Sequence, residues 1–140
     1  SFNTMMKVGF TAGAFDLLHA GHVLMLEECA SKCDHLIVGL HTNPHIERPD
    51  KNPPVQSVVE RYIQLKAVKF VSEIIPYETE KDLVDLLLVL SIDVRFLGSD
   101  WQGKDFTGKR LSGTKHKIIY NNRDHCYSSS DLRKRIKNIK

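Results

Sequence analysis

"GAFDLLHAGH" occupies residues 13–22, and it separates two patterns that belong to different secondary structures. Before it, residues 7–11 form a short apolar run ending near Gly13, which reads as a buried strand. After it, Val23, Leu26, Ala30 and Cys33 recur at spacings of three and four, the stripe of a helix with one buried face. The stretch is therefore a strand-to-helix turn. Gly13 lets the chain turn tightly after the strand. A helix starting around Ala20 and Gly21 offers free N–H groups and the positive end of its dipole, an anion site. Gly21 also removes a side chain where a ligand held at that anion site would need to approach closely. His19 and His22 share a helical edge if the helix begins early. That spacing fits solvent-exposed helix histidines as well as imidazoles that donate to phosphate oxygens. Zinc is disfavoured, because the stretch lacks the glutamate and the i, i+4 spacing of H-E-x-x-H.

Working outward, residues 35–40 ("HLIVGL") read as a second apolar strand. Residues 43–54 ("NPHIERPDKNPP") are rich in proline and polar groups and read as a loop, of a length that is often functional. Ser57 and Glu60 form a capping box that predicts a helix to about Phe70. Residues 72–76 read as a third strand. Thr79 and Asp82 cap a helix carrying Leu83, Leu86, Leu87 and Leu90. Residues 93–97 and 117–120 read as the fourth and fifth strands. Residues 128–131 cap a last helix with Leu132, Ile136 and Ile139 on one face. Strands alternating with helices predict an α/β fold: a doubly wound parallel sheet of about five strands with helices on both faces. Ligands in such sheets bind outside the carboxyl ends of the strands, where the strand order reverses. Residues 12–22, 41–54, 98–105 and 121–130 should converge there.

The bulk numbers set limits. A chain of 140 residues has the size of one domain, expected over residues 5–140, with residues 1–4 set aside as a probable vector remnant or disordered start. A net charge of +3 suits an anionic small ligand but is too weak to argue for nucleic acid. The apolar run at residues 86–90 is too short to cross a bilayer, and no secretory pattern opens the chain, so no membrane partner is expected. Three cysteines, Cys29, Cys33 and Cys126, without framework spacing fit a reducing cytoplasm. The basic end, residues 133–140, carries apolar positions at helical spacing and reads as a packed helix with a solvated basic face. A dinucleotide-dependent dehydrogenase is disfavoured, since no G-x-G-x-x-G follows the first strand.

The same stretch resembles the G-[TC]-F-D-x-x-H-x-G-H motif of the cytidylyltransferase-type nucleotidyltransferases. "RDHCYSSSDLRKRI" (residues 123–136) resembles that family's R-T-E-G-I-S-T segment. "IDVRFLGSDWQGKDF" (92–106) and "ERYIQLKAVKFVSEIIP" (60–76) resemble parts of bacterial glycerol-3-phosphate cytidylyltransferase. The resemblance implies a Rossmann-like single domain that transfers CMP from CTP to a small phosphomonoester, releasing pyrophosphate. Glycerol 3-phosphate is the first expected acceptor. Another phosphorylated polyol, amino alcohol or amide comes next. It further implies Mg2+ or another divalent cation, with metal ligands unknown, and a homodimer.

By that resemblance His19 and His22 serve the α-phosphate, and Arg123 the leaving phosphates. Lys51 falls near lysines placed over the triphosphate. Gly13, Ala14, Phe15, Asp16, Gly21, Lys69, Asp100, Ser128 and Ser129 fall on nucleotide-binding positions. Asp16 positions the turn or helps a divalent ion, unless it is a helix-entry cap. Trp101 packs beside the site. Three departures stand out. Ala14 replaces Thr or Cys, Lys69 stands for an arginine, and Asp124, His125 and Cys126 replace T-E-G. Adenylyl transfer from ATP to a sugar phosphate, and a non-catalytic nucleotide sensor on the same fold, are the alternatives.

Overall fold

The short β1–β4 ladder is where the cleft originates. The computed structural model describes residues 6–122 and 127–139. Among these the chain forms strands β1 (Val8–Gly13), β2 (His35–His41), β3 (Glu73–Tyr77), β4 (Val94–Gly98) and β5 (Lys117–Asn121). The α-helices are α1 (Ala20–Ala30), α2 (Val58–Lys66), α3 (Glu80–Val89) and α4 (Ser129–Lys137). All strand pairs are parallel, in the order β3-β2-β1-β4-β5. The order reverses at β1, whose pairing with β4 covers only Gly9↔Val94 and Phe10↔Arg95. Residues 11–13 and 96–98 continue both strands without pairing to each other. That separation opens a crevice at the carboxyl ends, as expected for a topological switch point.

Side chains alternate along each strand and bury against helices on both faces. Leu36, Val38 and Leu40 of β2 join Val94 and Phe96 of β4 under Leu26 and Cys29 of α1 and Leu65 of α2. Phe10, Ile37 and Tyr77 face the other way, under Leu83 and Leu87 of α3. Gly39 lets Phe10 and Tyr77 close over β2, since a Cβ there would meet Phe10 Cζ at 2.9 Å. The capping boxes of α2 and α3 form as read, with Ser57 and Thr79 each accepting from the N3 amide.

Three expectations are corrected. The second helix stops at Lys66, not Phe70, because the chain must turn back to pair Ser72 with Leu36 at the start of β3. Cys33 lies beyond α1, which ends at Ala30, although its Sγ still reaches the Cys29 carbonyl at 3.4 Å. The apolar face expected of the last helix is only partly packed: Leu132 is half-buried, but Ile136 is 63% exposed and Ile139, beyond the end of α4, 75% exposed among the described residues. No helix among the described residues is long and apolar enough to cross a membrane.

One buried cation joins the elements around the crevice. Arg61 of α2 is 1% exposed. Its Nε donates to the Gln56 carbonyl (3.1 Å), and Nη1 donates to the carbonyls of Ala14 (3.0 Å) and His41 (2.7 Å). Nη2 donates to the carbonyl of Thr42. Burial lowers the guanidinium's pKa, and the Asp16 carboxylate offsets part of that effect. Arg61→Met strips donors from all these carbonyls and is expected to cost about 3–5 kcal/mol of unfolding free energy. Arg61→Lys keeps the charge without the planar fork and should recover only part of it. Urea titration followed by circular dichroism measures both; an unchanged midpoint for Arg61→Met would refute the role.

Candidate active site

The turn between β1 and α1 is strained and held from outside. Phe15 and Leu17 have φ of 50° and 51°, a left-handed conformation that bulky side chains rarely adopt. Such strain persists where surroundings over-determine the backbone. Here Phe15 is buried with its ring 5.4 Å from that of His22. Asp16 accepts from the amides of Val55 (2.8 Å) and Gln56 (3.0 Å) and from Arg133 of α4 (3.0 Å). The Leu17 amide donates to Gln56 Oε1 at 2.8 Å.

The turn delivers two histidines in a reciprocal cap. His19 is the N-cap of α1, and its Nδ1 accepts from the Gly21 amide at 3.0 Å. His22, at N3, accepts the His19 amide on its own Nδ1 at 3.3 Å. With Nδ1 an acceptor on both rings, the neutral tautomer carries its proton on Nε2. The rings stack 3.9 Å apart. The first turn of α1 holds no acidic residue, so nothing on it offsets the positive helix end. The histidines are half-buried capping groups, which removes the reading as solvent-exposed helix residues. The cap is His19, so Asp16 is not the helix-entry cap; it ties the turn to α4 and to the start of α2.

The crevice has two lobes. One, of about 470 Å³, is lined by His19, Gly21, His22 and Met25 of α1, by Phe96 and Asn121, and by Tyr127 and Ser128. The other, of about 200 Å³, lies on the opposite face of the sheet and is lined by Gly13, Ala14, His41, Arg48, Lys51, Tyr77, Glu80, Arg95 and Thr107. Ala12, Leu97 and Trp101 line both. The lobes therefore meet over the splayed ends of β1 and β4.

Glu80, the first residue of α3, ties the walls of the second lobe. Its carboxylate pairs with Arg48 at 3.3 Å and accepts from Thr107 Oγ1 at 2.9 Å, while its amide donates to Glu47 at 2.8 Å. Arg95 donates from Nη1 to the Thr107 carbonyl at 2.6 Å. Burial lowers the Arg95 pKa to about 10, so it stays protonated at neutral pH. Burial also lowers the pKa of His41, whose Nε2 bonds the Glu78 carbonyl at 3.0 Å, and pushes that of Tyr77 up.

Most of the residues singled out in the sequence converge here. Ser128 caps α4, accepting from the Asp131 amide at 3.0 Å, at the edge of the first lobe. Asp100 lies beside Trp101 in the 3-10 turn Ser99–Trp101 and is exposed. Phe15 and Asp16 stand behind the crevice, as supports rather than lining. Lys69 is not brought to it: α2 runs back from the carboxyl ends of the strands, so Lys69 emerges at their amino ends, exposed over the Phe70 ring. Arg123, Asp124, His125 and Cys126 lie outside the described residues, as does the side chain of Ser129. Sequence reasoning missed His41, Arg48, Glu80 and Arg95. Arg95 had a signal: a charge inside the apolar strand "VRFLG". Among the described residues no three His, Cys, Asp or Glu side chains gather as a metal-holding group.

A family model described as cytidylyltransferase-like matches residues 10–135, and the chain belongs to that family. It is 34% identical over 119 residues, 81% of its length, to the bifunctional protein HldE of Granulibacter bethesdensis, of which it covers 24%. It is 30% identical over 135 residues, 96% of its length, to the HldE protein of Campylobacter jejuni, of which it covers 28%. The chain thus spans less than a third of the length of these curated relatives. The crystal structure of a lipopolysaccharide core biosynthesis protein from Thermoplasma volcanium matches with a TM-score of 0.68 at 25% identity, over 82% of this chain and 95% of that one. Pantoate-beta-alanine ligase from Francisella tularensis shares the fold, with a TM-score of 0.63 at 18% identity, over 95% of this chain and 70% of that one.

The reciprocal cap makes a separable prediction. Asparagine is a good N-cap, so His19→Asn is expected to change the unfolding free energy by less than about 0.5 kcal/mol, while His19→Leu loses about 1 kcal/mol. Chemical denaturation of both variants checks this; equal losses in the two would mean that His19 does not stabilise α1 as a cap.

Proposed function

We propose that this member of the cytidylyltransferase-like family transfers a nucleotidyl group from a nucleoside triphosphate to a small phosphomonoester. A phosphomonoester oxygen attacks the α-phosphorus, the bond to the bridging oxygen breaks, and pyrophosphate leaves with that electron pair. No covalent enzyme intermediate is involved. The observation that carries this reading is the pair of lobes meeting at Ala12, Leu97 and Trp101, with the histidine cap on one side of the junction and Lys51 on the other.

In this reading the α1 lobe takes the nucleotide. His19 and His22 donate from Nε2 to the α-phosphate and stabilise the charge that develops on its oxygens. Gly13, Ala14 and Gly21 let the phosphates approach the backbone. Arg123, Ser128 and Ser129 serve the leaving phosphates, and Asp100 the ribose. Catalysis then comes from positioning and electrostatics. Lys69 has no place here within one chain. The second lobe, with Arg48, Lys51 and Arg95 against Glu80, takes the acceptor phosphomonoester. Magnesium or another divalent cation arrives with the triphosphate, whose oxygens supply ligands that the described residues do not. CTP and glycerol 3-phosphate are the first substrates to try. Adenylyl transfer from ATP to a sugar phosphate is the second reading, supported by the 34% and 30% identity to the HldE proteins.

A cytoplasmic homodimer belongs to the same proposal. Val55, Val59 and Ile63 stand exposed at four-residue spacing along the start and outer side of α2, an apolar stripe that suits burial against a second copy.

The protein incubated with CTP or ATP, Mg2+ and a panel of phosphomonoesters is expected to release pyrophosphate with at least one pair. The same assay on His19→Asn should show kcat lower by about 10²–10³, with nucleotide affinity changed less than about tenfold. Silence with every pair, alongside normal nucleotide binding, would leave a sensor as the better description. Sedimentation velocity should show a dimer that Val59→Glu weakens; a wild-type monomer at micromolar concentration removes the dimer from the proposal.

A further inference from the structure

We propose that Arg95 selects the acceptor, and that it selects an uncharged polyhydroxylated end: a polyol or sugar phosphate rather than a phosphorylated amino alcohol. The inference rests on assigning the second lobe to the acceptor. Val94 and Phe96, the neighbours of Arg95 in β4, point into the core on the other face of the sheet. A strand covered on both faces is ordinarily apolar throughout. Arg95 breaks that pattern at 4% exposure. Burying a guanidinium is unfavourable unless it is paired and hydrogen-bonded. Among the described residues only Nη1 is hydrogen-bonded, by the Thr107 carbonyl, and the Cζ lies 5.3 Å from the centre of the Phe106 ring. Among the described residues no carboxylate lies within ion-pair distance of it, and the more distant Glu80 offsets only part of the burial. The remaining donors belong to a residue that lines the acceptor lobe.

Place and charge then set the chemistry. Arg95 lies two residues below Leu97, which lines the junction of the lobes, so it stands about 7 Å deeper along the strand. A reacting phosphate at the junction beside Lys51 leaves that depth for the rest of the acceptor, the span of a short polyol or a sugar ring. The lobe is lined by the cations Arg48, Lys51 and Arg95 and by the carboxylate of Glu80. Their surplus matches the two negative charges of one phosphomonoester and leaves none for a second phosphate. An ammonium at the far end would face the buried Arg95 in a medium that screens poorly. A hydroxyl accepts from a guanidinium and donates to a carboxylate, so it suits a wall that offers both Arg95 and Glu80.

Calorimetry in the presence of α,β-methylene CTP or ATP tests this without requiring turnover. The wild-type protein is expected to bind glycerol 3-phosphate or a hexose phosphate at least tenfold more tightly than phosphocholine or phosphoethanolamine. Arg95→Leu, an apolar change in an apolar strand, should raise the polyol phosphate Kd at least tenfold and erase the preference, with the nucleotide Kd within twofold. Arg95→Gln, which keeps some donors, should fall between, and it carries the test if Arg95→Leu melts early. An amino alcohol phosphate bound as tightly as the polyols, no polyol or sugar phosphate bound at all, or an unchanged polyol Kd in folded Arg95 variants, overturns the proposal. Pyrophosphate release is read separately, so the transferase reading and the role of Arg95 fail independently.

Discussion

The guanidinium of Arg61 is the fixed point of the crevice. It gathers the carbonyls of Ala14, His41, Thr42 and Gln56, the ends of β1 and β2 and the approach to α2. These carbonyls lie at or beyond the strand ends, and burying a carbonyl without a donor is unfavourable. One planar cation satisfies them together, which a longer-range set of separate contacts would not do. Asp16 is the complement: it takes the amides of Val55 and Gln56, so donors and acceptors of the same loop are held by opposite charges. The left-handed Phe15 and Leu17 lie inside this frame. Their strain is sustained because the frame leaves the turn no relaxed alternative.

From that frame the rest of the site follows by short steps. The turn ends at His19, whose ring replaces the usual small polar cap. Because each Nδ1 is spent on a backbone amide, Nε2 is the nitrogen that carries the proton on both rings. Capping therefore uses Nδ1, not Nε2, on both side chains. On the other face, Glu80 draws the 43–51 loop and the 106–108 segment onto the start of α3. Two walls and one strand gap make a bipartite cleft.

The elements were legible because each carried a local signal. Ser57 with Glu60 and Thr79 with Asp82 announce helix starts through their own side chains, and β2 is apolar on both faces because both are covered. Errors came where a distant partner decided. The end of α2 depends on the pairing of Ser72 with Leu36, which no window around residues 60–70 contains. Lys69 fell on a binding position by likeness of sequence, yet the direction of α2 carries it to the far edge of the sheet. The apolar stripe of the last helix promised packing, but among the described residues Ile136 and Ile139 stay exposed while Leu132 is half-buried.

The sequence by itself determined the alternation of strands and helices, the strand-to-helix turn at residues 13–22, and the family to which that turn points. Those properties rest on periodicity, capping and turn chemistry, which act over a few residues. Only the tertiary structure decided that β1 and β4 part after two pairs, that Asp16 binds backbone rather than opening the helix, and that Arg48, Glu80 and Arg95 share one lobe. Each depends on segments dozens of residues apart meeting across the sheet. Contacts of that kind follow from how the strands are ordered, and no local pattern encodes them.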